Sequence, residues 1–430
     1  MLADAVRGTA LSLTTTTRPI APFDALALFA RAHGQERALW LRPSGDEAIV
    51  GIGAAHVIAL DGTSSDRFAI AARMWRELVY DIEDPAPRPW TGPLLLGGFR
   101  FDPLRTPTDL WSGFAADRLV LPERLYVQHG ESAWLTTSRL VGAAPGVAEA
   151  PPLPSARGLS PAAWQGLVGS VAGDIRVGTA GVGKVVLARA HTVAAQAPLE
   201  PAVVLQRLAN TYPTCTIVGI GHAAATFVAA TPERLVSVGD GLATTMALAA
   251  SAPRGGTDTE DRTLGEALLR DPKERAEHEF VVQALRDGLG EVSSRVVADA
   301  EPRLRKLPNL QHLLTRVHAN LRPGYSILDV VQRLHPSPAV GGVPTSAALA
   351  LIRDREALDR GWYGGPIGWL NSAGEGEFVV GIRSALLRGR EATLFAGCGI
   401  VADSNPSAEL AESNWKLRPM LSALGIADGT

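Results

Sequence analysis

The stretch CTIVGIGHAAATFVAATPERLVSV, residues 215–238, contains three strand-like segments in close succession, at 215–220, 225–229 and 234–238. Each segment is short, rich in β-branched or other apolar residues, and separated from the next by a turn that contains glycine or proline. Strands that follow one another, rather than alternating with helices, favour antiparallel pairing. The stretch therefore predicts an α+β fold in which mostly antiparallel sheets carry helices on the outside.

A glycine-rich motif within this stretch, Gly219-Ile220-Gly221-His222-Ala223-Ala224, imitates the fingerprint of dinucleotide-binding proteins. The real fingerprint must open a helix, because the helix N-terminus holds the pyrophosphate. Here residues 225–235 are strand-like and are interrupted by Pro232. We therefore interpret the motif as a turn between two antiparallel strands.

Segments with helical signatures lie on both sides of this stretch, at residues 66–79, 160–175 and 406–424. A Pro/Ala/Gly-rich segment, residues 141–158, is typical of a surface connection. It divides the chain into an N-terminal part, residues 1–150, and a second part, residues 151–430. We expect the two parts to form one continuous domain with two lobes.

The composition excludes several classes of protein. The chain has 430 residues, of which 46% are hydrophobic and 20% charged, as in ordinary globular proteins. A net charge of −3 gives no support for nucleic-acid binding, which normally needs a basic face. Residues 1–18 lack a secretory signal, no apolar run could span a membrane, and Cys215 and Cys398 are predicted to be reduced. We expect a soluble, cytoplasmic protein with no nucleic-acid or membrane partner.

Two Glu-x-x-Glu doublets, Glu274/Glu277 and Glu409/Glu412, lie far apart in the sequence. Helical spacing puts the first doublet on the same side as the apolar stripe through Leu285, which should face the core. A buried carboxylate is costly unless it is paired or bound to a metal. If the fold brings the doublets together, they form an oxygen-rich site for a hard divalent cation such as magnesium.

Several other charged residues have ordinary interpretations that the pattern alone leaves open. Lys184 begins a strand, where a solvent-facing lysine is common. Glu233 follows a proline and has the position of a turn carboxylate that pairs with Arg234. Glu412 and Lys416 have the i,i+4 spacing of a helix-stabilising pair, worth about 0.2–0.5 kcal/mol.

Arg383 is harder to explain by packing. It interrupts the apolar, alternating segment 378–387, which we predict to be one strand that forms a hairpin with residues 392–396. An unpaired cation within such a strand would be destabilising, so a carboxylate partner is expected. No Ser-His-Asp, Cys-His or zinc-ligand spacing appears, and His335 is the only histidine in a rich motif.

Taken together, these segments resemble the chorismate-utilising enzymes, a family that includes anthranilate synthase component I and the isochorismate and salicylate synthases. The resemblance covers about residues 160–424 and is weak before them, chiefly at 96–99. It implies two large, mostly antiparallel β-sheets packed together, with helices outside. The matching segments are 184–189 (KVVLAR), 231–235 (TPERL), 247–255 (ALAASAPRG), 277–278 (EH), 334–342 (LHPSPAVGG), 360–369 (RGWYGGPIGW), 374–384 (GEGEFVVGIRS), 396–401 (AGCGIV) and 412–417 (ESNWKL).

The resemblance also narrows the reaction. Members of this family that add water to chorismate have a lysine at the position of Lys184, whereas ammonia-using anthranilate synthases carry a glutamine-type residue there. Aminodeoxychorismate synthases typically have a lysine nucleophile where this chain has Ala249 and Ala250. Salicylate synthases tend to have threonine near Ala339. We therefore expect an isochorismate synthase that feeds menaquinone or catechol siderophore synthesis; a salicylate synthase is the alternative, and an aminating synthase subunit is less favoured.

Catalytic roles follow from the resemblance residue by residue. Lys184 would be the general base that takes a proton from water, and Glu233 the general acid that protonates the departing hydroxyl. Arg383 and Lys416 would bind the carboxylate of the enolpyruvyl arm. The other implied substrate-binding positions are Ser251, Ala252, His335, Gly397, Cys398 and Gly399.

Magnesium is the implied cofactor. Glu277 and Glu412 would hold it directly, with Glu274 and Glu409 in the outer shell. The substrate would be chorismate, with no obligatory glutaminase partner, and the protein would be a monomer or weak homodimer. Cys398 stands where the family usually has alanine. Ala250 stands where it usually has glycine, and its methyl group could crowd a close approach of the backbone to substrate.

Overall fold

The computed structural model describes residues 12–60, 64–80, 82, 90–112, 114, 117–141, 158–307 and 310–426. Its strands are β1 (Ser12–Ile20), β2 (Arg37–Arg42), β3 (Glu47–Ile52), β4 (His56–Leu60), β5 (Leu94–Phe99), β6 (Asp117–Leu121), β7 (Arg124–His129), β8 (Ser132–Val141), β9 (Lys184–Ala194), β10 (Thr216–His222), β11 (Ala225–Thr231), β12 (Arg234–Gly239), β13 (Leu242–Pro253), β14 (Ser293–Ala298), β15 (Arg303–Lys306), β16 (Leu310–Leu321), β17 (Gly342–Val343), β18 (Pro366–Asn371), β19 (Gly376–Val380), β20 (Ser384–Arg388) and β21 (Glu391–Ile400). Its α-helices are α1 (Ala25–Arg31), α2 (Arg67–Val79), α3 (Pro161–Arg176), α4 (Pro201–Thr211), α5 (Asp258–Arg270), α6 (Pro272–Gly290), α7 (Ile327–Leu334), α8 (Thr345–Arg355) and α9 (Pro406–Leu424).

These elements confirm the three predicted helices, which are α2, α3 and α9. Most of the predicted surface connection, residues 142–157, lies outside the described residues. The glycine-rich motif is a turn between β10 and β11, which pair antiparallel from His222 opposite Ala225. The interpretation of this motif as a turn is confirmed.

The strands form two large sheets. The first has 11 strands in the order β1-β8-β7-β3-β2-β10-β11-β20-β21-β9-β17. The second has 10 strands, of which nine run in the order β14-β16-β13-β12-β19-β18-β5-β6-β4 and β15 pairs with β16. Pairing is antiparallel, for example between β9 and β21 and between β12 and β19. The predicted α+β fold with two packed antiparallel sheets is confirmed, and strands from both sides of residue 150 occur in each sheet.

The chain crosses from one sheet to the other at two neighbouring places. Pro232 and Glu233 connect β11 of the first sheet to β12 of the second, and residues 381–383 connect β19 of the second sheet to β20 of the first. Backbone hydrogen bonds join these crossings, from Val380 N–H to Glu233 O at 3.0 Å and from Ala230 N–H to Arg383 O at 3.1 Å.

The second crossing corrects the sequence interpretation of residues 378–387, which are not one strand. Arg383 lies in the break between two strands, with a φ of 50° in the left-handed region. Gly381 allows the break, because a Cβ at this position would lie 2.5 Å from the carbonyl oxygen of Trp362. The hairpin with the following segment is confirmed as β20 and β21.

Both cysteines are buried and free, in agreement with the prediction that they are reduced. None of the helices formed by the described residues combines the length and apolar composition that a membrane-spanning helix requires.

Candidate active site

A cavity of about 440 Å³ brings together most of the candidate residues of the sequence analysis. Its walls come from the ends of β9, β13 and β21, from the two crossings, and from the first turns of α6 and α9. The predicted residues that line it are Lys184, Glu233, Ser251, Glu274, Glu277, Arg383, Gly397, Gly399, Glu409, Glu412 and Lys416.

The two glutamate doublets lie near the starts of their helices, with Glu274 and Glu409 in the first turn, and both helices have strong start signals. Asp271 caps α6 by accepting hydrogen bonds from the backbone N–H groups of Lys273 and Glu274. Asn405 caps α9 in the same way, and each helix has proline at its first position. Carboxylates near a helix N-terminus also interact favourably with its dipole.

The environment of the outer pair of glutamates, Glu274 and Glu409, is unfavourable for negative charge. Burial, followed by repulsion from Glu277, raises the pKa of the Glu274 carboxyl above its usual value. Burial and repulsion from Glu412 raise the pKa of Glu409, although a hydrogen bond from Ser404 Oγ, at 2.9 Å, opposes the shift. Glu409 Oε2 is buried and has no hydrogen-bond partner among the described residues. A bound cation would relieve both effects.

The inner pair of glutamates, Glu277 and Glu412, contacts two lysines of the cavity lining, Lys184 and Lys416. Lys184 Nζ lies 2.5 Å from Glu277 Oε1, and Lys416 Nζ lies 2.6 Å from Glu412 Oε1. Lys416 also donates a hydrogen bond of 2.9 Å to the carbonyl oxygen of Gly397. The helical pair of Glu412 and Lys416 predicted by spacing therefore exists, and both of its members face the cavity.

The donor set fits magnesium. The two doublets supply carboxylate oxygens, which hard divalent cations prefer. Cys398 Sγ lies within 4.8 Å of carboxylate oxygens of Glu409 and Glu412, but burial raises the pKa of its thiol to about 12. The neutral thiol donates a hydrogen bond of 3.3 Å to the backbone carbonyl of Glu409. Oxygen ligands without a thiolate favour magnesium over softer metals.

Glu233 has the properties of a proton donor at neutral pH. Glu233 is only 9% exposed, and burial raises the pKa of its carboxyl from the usual 4.5 to about 7. The positive charges of Arg383, Lys416 and Lys184 act in the opposite direction. Arg234, the partner that the turn interpretation suggested, instead lies 3.3 Å from Glu377.

Arg383 departs from the sequence expectation of a carboxylate partner. No carboxylate of the described residues lies within 4.0 Å of its guanidinium, so that expectation is wrong. Burial lowers the pKa of Arg383, partly offset by Tyr363 and more distant acidic groups. Because the crossing turns this side chain into the cavity, its donors are available to an anionic ligand.

Three predicted substrate-binding residues lie elsewhere. His335 does not line the cavity; its Nε2 lies 2.9 Å from the carbonyl oxygen of Phe101, and its ring packs edge-on against Phe101 and Phe68. The side chains of Ala252 and Cys398 also do not line the cavity: Ala252 packs against the cluster that contains Leu268 of α5, and Cys398 Sγ donates to the backbone carbonyl of Glu409 on α9. Neighbouring residues face opposite sides of a strand, which is why Ser251 and Gly397 line it and these two do not.

Two residues that line the cavity, His312 and Tyr363, were not predicted from the sequence. His312, on β16, lies with Nδ1 2.7 Å from Ser251 Oγ, and burial lowers the pKa of its imidazole to about 4, so it is neutral. Tyr363, which also lines the cavity, stacks on Phe395, and burial raises the pKa of its phenol. His312 is one of several polar residues in the segment that became β16, so no specific sequence signal marked it.

Comparison with known proteins agrees with this arrangement. The sequence profile described as "Chorismate binding enzyme" matches residues 2–151 and 147–425. The isochorismate synthase MenF of Bacillus subtilis is 33% identical to this chain, over 96% of this chain and 93% of its own. The salicylate biosynthesis isochorismate synthase of Pseudomonas aeruginosa is 37% identical, over 86% of this chain and 82% of its own.

A solved structure shares the same fold. The menaquinone-specific isochorismate synthase MenF of Escherichia coli superposes with a TM-score of 0.80, covering 96% of this chain and 95% of its own at 24% identity. The profile matches nearly the whole chain, and the relative from Bacillus subtilis aligns over 93% of its own length. This chain belongs to the family of chorismate-binding enzymes.

Proposed function

We propose that this protein is a magnesium-dependent isochorismate synthase, an isomerase of class EC 5.4.4.2. It would add water at C2 of chorismate and release the C4 hydroxyl, for menaquinone or catechol siderophore synthesis. The relatives from Bacillus subtilis and Pseudomonas aeruginosa, which align over 93% and 82% of their own length and are both isochorismate synthases by name, support this reaction. The single observation that carries the proposal is the shared cavity of Lys184 and of Glu233, whose carboxyl pKa is about 7.

The proton transfers are assigned to these two residues. Lys184, as a neutral amine, takes a proton from the water whose oxygen bonds to C2. Both ring double bonds shift as the C4–O bond breaks, and Glu233 gives its proton to the departing hydroxyl, which leaves as water. A carboxyl group with a pKa near 7 is protonated in a large fraction of molecules at neutral pH and still gives up its proton readily.

The substrate is a dicarboxylate, and the cavity offers cations for its enolpyruvyl carboxylate. Arg383 supplies a planar guanidinium that can bind it in a bidentate manner, and Lys416 supplies a second charge. Glu277 and Glu412 would hold magnesium, with Glu274 and Glu409 behind them. When bound, the cation neutralises the ring carboxylate and positions it.

Product analysis tests the proposal. Purified protein is incubated with chorismate and magnesium, and the products are separated by chromatography. Isochorismate as the product is the expected result, and its absence would refute the assignment. Salicylate with release of pyruvate would identify a salicylate synthase instead. Anthranilate formed only with ammonia would identify an aminating subunit, and no turnover with retained binding would identify a protein without catalytic activity.

The cellular setting belongs to the same proposal. We expect the enzyme to act in the cytoplasm, as a monomer or weak homodimer, and without a glutaminase partner. Because water replaces ammonia in the reaction, no second subunit is needed to supply a nucleophile. Full activity of the purified chain alone is the expected result.

A further inference from the structure

The contact between Lys184 and Glu277 joins a residue proposed as the base to a residue proposed as a metal ligand. Lys184 Nζ lies 2.5 Å from Glu277 Oε1, and the two side chains are 15% and 32% exposed. This is the only ion pair or side-chain hydrogen bond of Lys184 among the described residues. The contact directs Lys184 Nζ at Glu277, whereas a general base must direct its lone pair at the water from which it takes a proton.

We propose that Lys184 and a divalent cation compete for Glu277, so that binding of the cation releases Lys184 Nζ into the cavity. The inference rests on the proposed function, because it takes Glu277 as a cation ligand and Lys184 as the base. It adds a sequence of events in which the cation binds first and the amine becomes available afterwards.

The chemistry of the two cations explains the competition. A lysine ammonium is a compact point charge that binds one or a few oxygen atoms, as a metal ion does. A divalent cation needs direct bonds to carboxylate oxygens, and it repels a second positive charge at the same oxygen. Glu277 Oε1 can therefore serve one of them well, but not both.

Lys416 provides an internal comparison, because it is held in a different way. Its Nζ contacts Glu412 Oε1 at 2.6 Å and also donates to the carbonyl oxygen of Gly397 at 2.9 Å. If a cation took Glu412, Lys416 would keep its second hydrogen bond and its place. Lys184 has no second anchor of this kind, so its amine is the one that moves.

The backbone beside Lys184 leaves room for this movement. A Cβ at Gly399 would lie 2.9 Å from Lys184 Cε and 3.5 Å from Nζ. The lysine side chain therefore passes over a bare glycine on the neighbouring strand, where no side chain fixes its end. Glycine at this position permits close approach of another group.

The test measures magnesium binding by calorimetry without chorismate, so that it is independent of the reaction. Lys184→Met should bind magnesium about five-fold more tightly than the wild type, as expected for loss of a partly exposed competing ion pair. Lys273→Met is the matched control: Lys273 also lines the cavity on α6 but forms no ion pair among the described residues. Its affinity should change less than two-fold, a limit of about 0.4 kcal/mol. Lys184→Arg, which keeps a competing cation, should resemble the wild type.

Unchanged or weaker binding by Lys184→Met would overturn the proposal, and so would equal tightening in both methionine variants, which would reflect cavity charge alone. A crystal structure of the wild type with magnesium gives a second test that no variant can disturb. Separation of Lys184 Nζ from Glu277 supports release, and an intact contact refutes it. Failure of these tests leaves isochorismate formation untouched, whereas absence of isochorismate would refute the function by itself.

Discussion

The backbone N–H of Ala230 donates a hydrogen bond of 3.1 Å to the carbonyl oxygen of Arg383, and this bond joins the two places where the chain passes between the sheets. The reciprocal bond, from Val380 N–H to Glu233 O, completes the connection. The acid and the anion-binding residue therefore belong to one block of backbone. Since main-chain atoms hold this block together, substitutions of the two side chains should change function more than fold.

Replacement of Arg383 by glutamine should weaken chorismate binding. The guanidinium has no carboxylate partner among the described residues, so its charge serves the ligand. Loss of a buried, charge-assisted contact costs about 2–5 kcal/mol, which corresponds to a rise in KM of about 30-fold or more. Steady-state kinetics measures this change. Arg390→Gln, in the exposed turn after β20, is the control and should leave KM as it is.

Glu233→Gln should change the dependence of stability on pH. The folded carboxyl has a pKa of about 7 against the usual 4.5, so the folded state holds its proton more tightly than the unfolded state. The wild type therefore loses stability as the pH rises from about 4.5 to 7, in total about 3 kcal/mol. The glutamine variant lacks this loss. Urea unfolding should show the two proteins closest at pH 4.5 and the variant relatively more stable at pH 8; parallel curves would contradict the assignment.

The same carboxyl should control the reaction rate on the alkaline side. A general acid must be protonated, so kcat/KM should fall by about tenfold per pH unit above the pKa of Glu233 near 7. Removal of the acid should lower the rate by about 10²–10⁴-fold and abolish this decline. Rate profiles of the wild type and of Glu233→Gln provide the measurement. A decline that persists in the variant would mean that another group titrates.

Lys184→Ala should abolish turnover while retaining magnesium binding. The loss of a general base lowers a rate by about 10²–10⁴-fold. Among the described residues that line the cavity, Lys184 is the only lysine at the start of a strand. Chromatography of the products and calorimetry with magnesium give the two readings. Normal turnover in this variant would exclude Lys184 as the base, and loss of magnesium binding would show that the substitution damages the metal site.

The four glutamates should divide into two classes. Glu277→Gln and Glu412→Gln remove proposed direct ligands and should reduce magnesium affinity by more than about 100-fold. Glu274→Gln and Glu409→Gln remove outer-shell groups and should reduce it by about 10–100-fold. Calorimetry of the four variants tests this order, and removal of magnesium with a chelator should stop turnover until the metal is restored. Equal losses in all four variants would contradict the division.

Ala250→Gly should stabilise the protein. Ala250 has a φ of 58° at the bulge where β13 shifts register against β16, and a left-handed conformation costs an alanine about 1–2 kcal/mol. Glycine removes this strain but loses more entropy on folding, which leaves a gain of about 0.5–1 kcal/mol. Ala249→Gly, at the preceding strand position, is the control and should be destabilising. Urea unfolding of both variants measures the difference.

Features that depend on local sequence were predictable. The starts of α6 and α9 follow from Asp271 and Asn405, each of which is followed by proline, and the inward direction of Glu277 follows from helical spacing. These features require only neighbouring residues along the chain. The resemblance to the chorismate-utilising enzymes supplied what spacing could not, namely that two distant doublets would meet in one cavity.

Features that depend on tertiary contacts were not predictable. Both strands that flank the crossing at Arg383 are buried, so no change in polarity marks the switch between sheets. His312 lies in a strand that mixes apolar and polar residues, and nothing in its neighbourhood distinguishes a cavity-facing histidine from a core histidine. The prolines around His335 drew attention to a residue whose imidazole contacts the backbone of Phe101.

The distribution of strands between the sheets has a consequence for attempts to shorten this protein. β10 pairs with β2, and β18 pairs with β5, so both sheets depend on strands from the first 100 residues. A fragment that began after the Pro/Ala/Gly-rich segment at residues 141–158 would retain every residue proposed for catalysis. It would, however, expose the unpaired edges of β10 and β18. Such edges recruit other chains. We expect the fragment to aggregate rather than to work as a minimal enzyme.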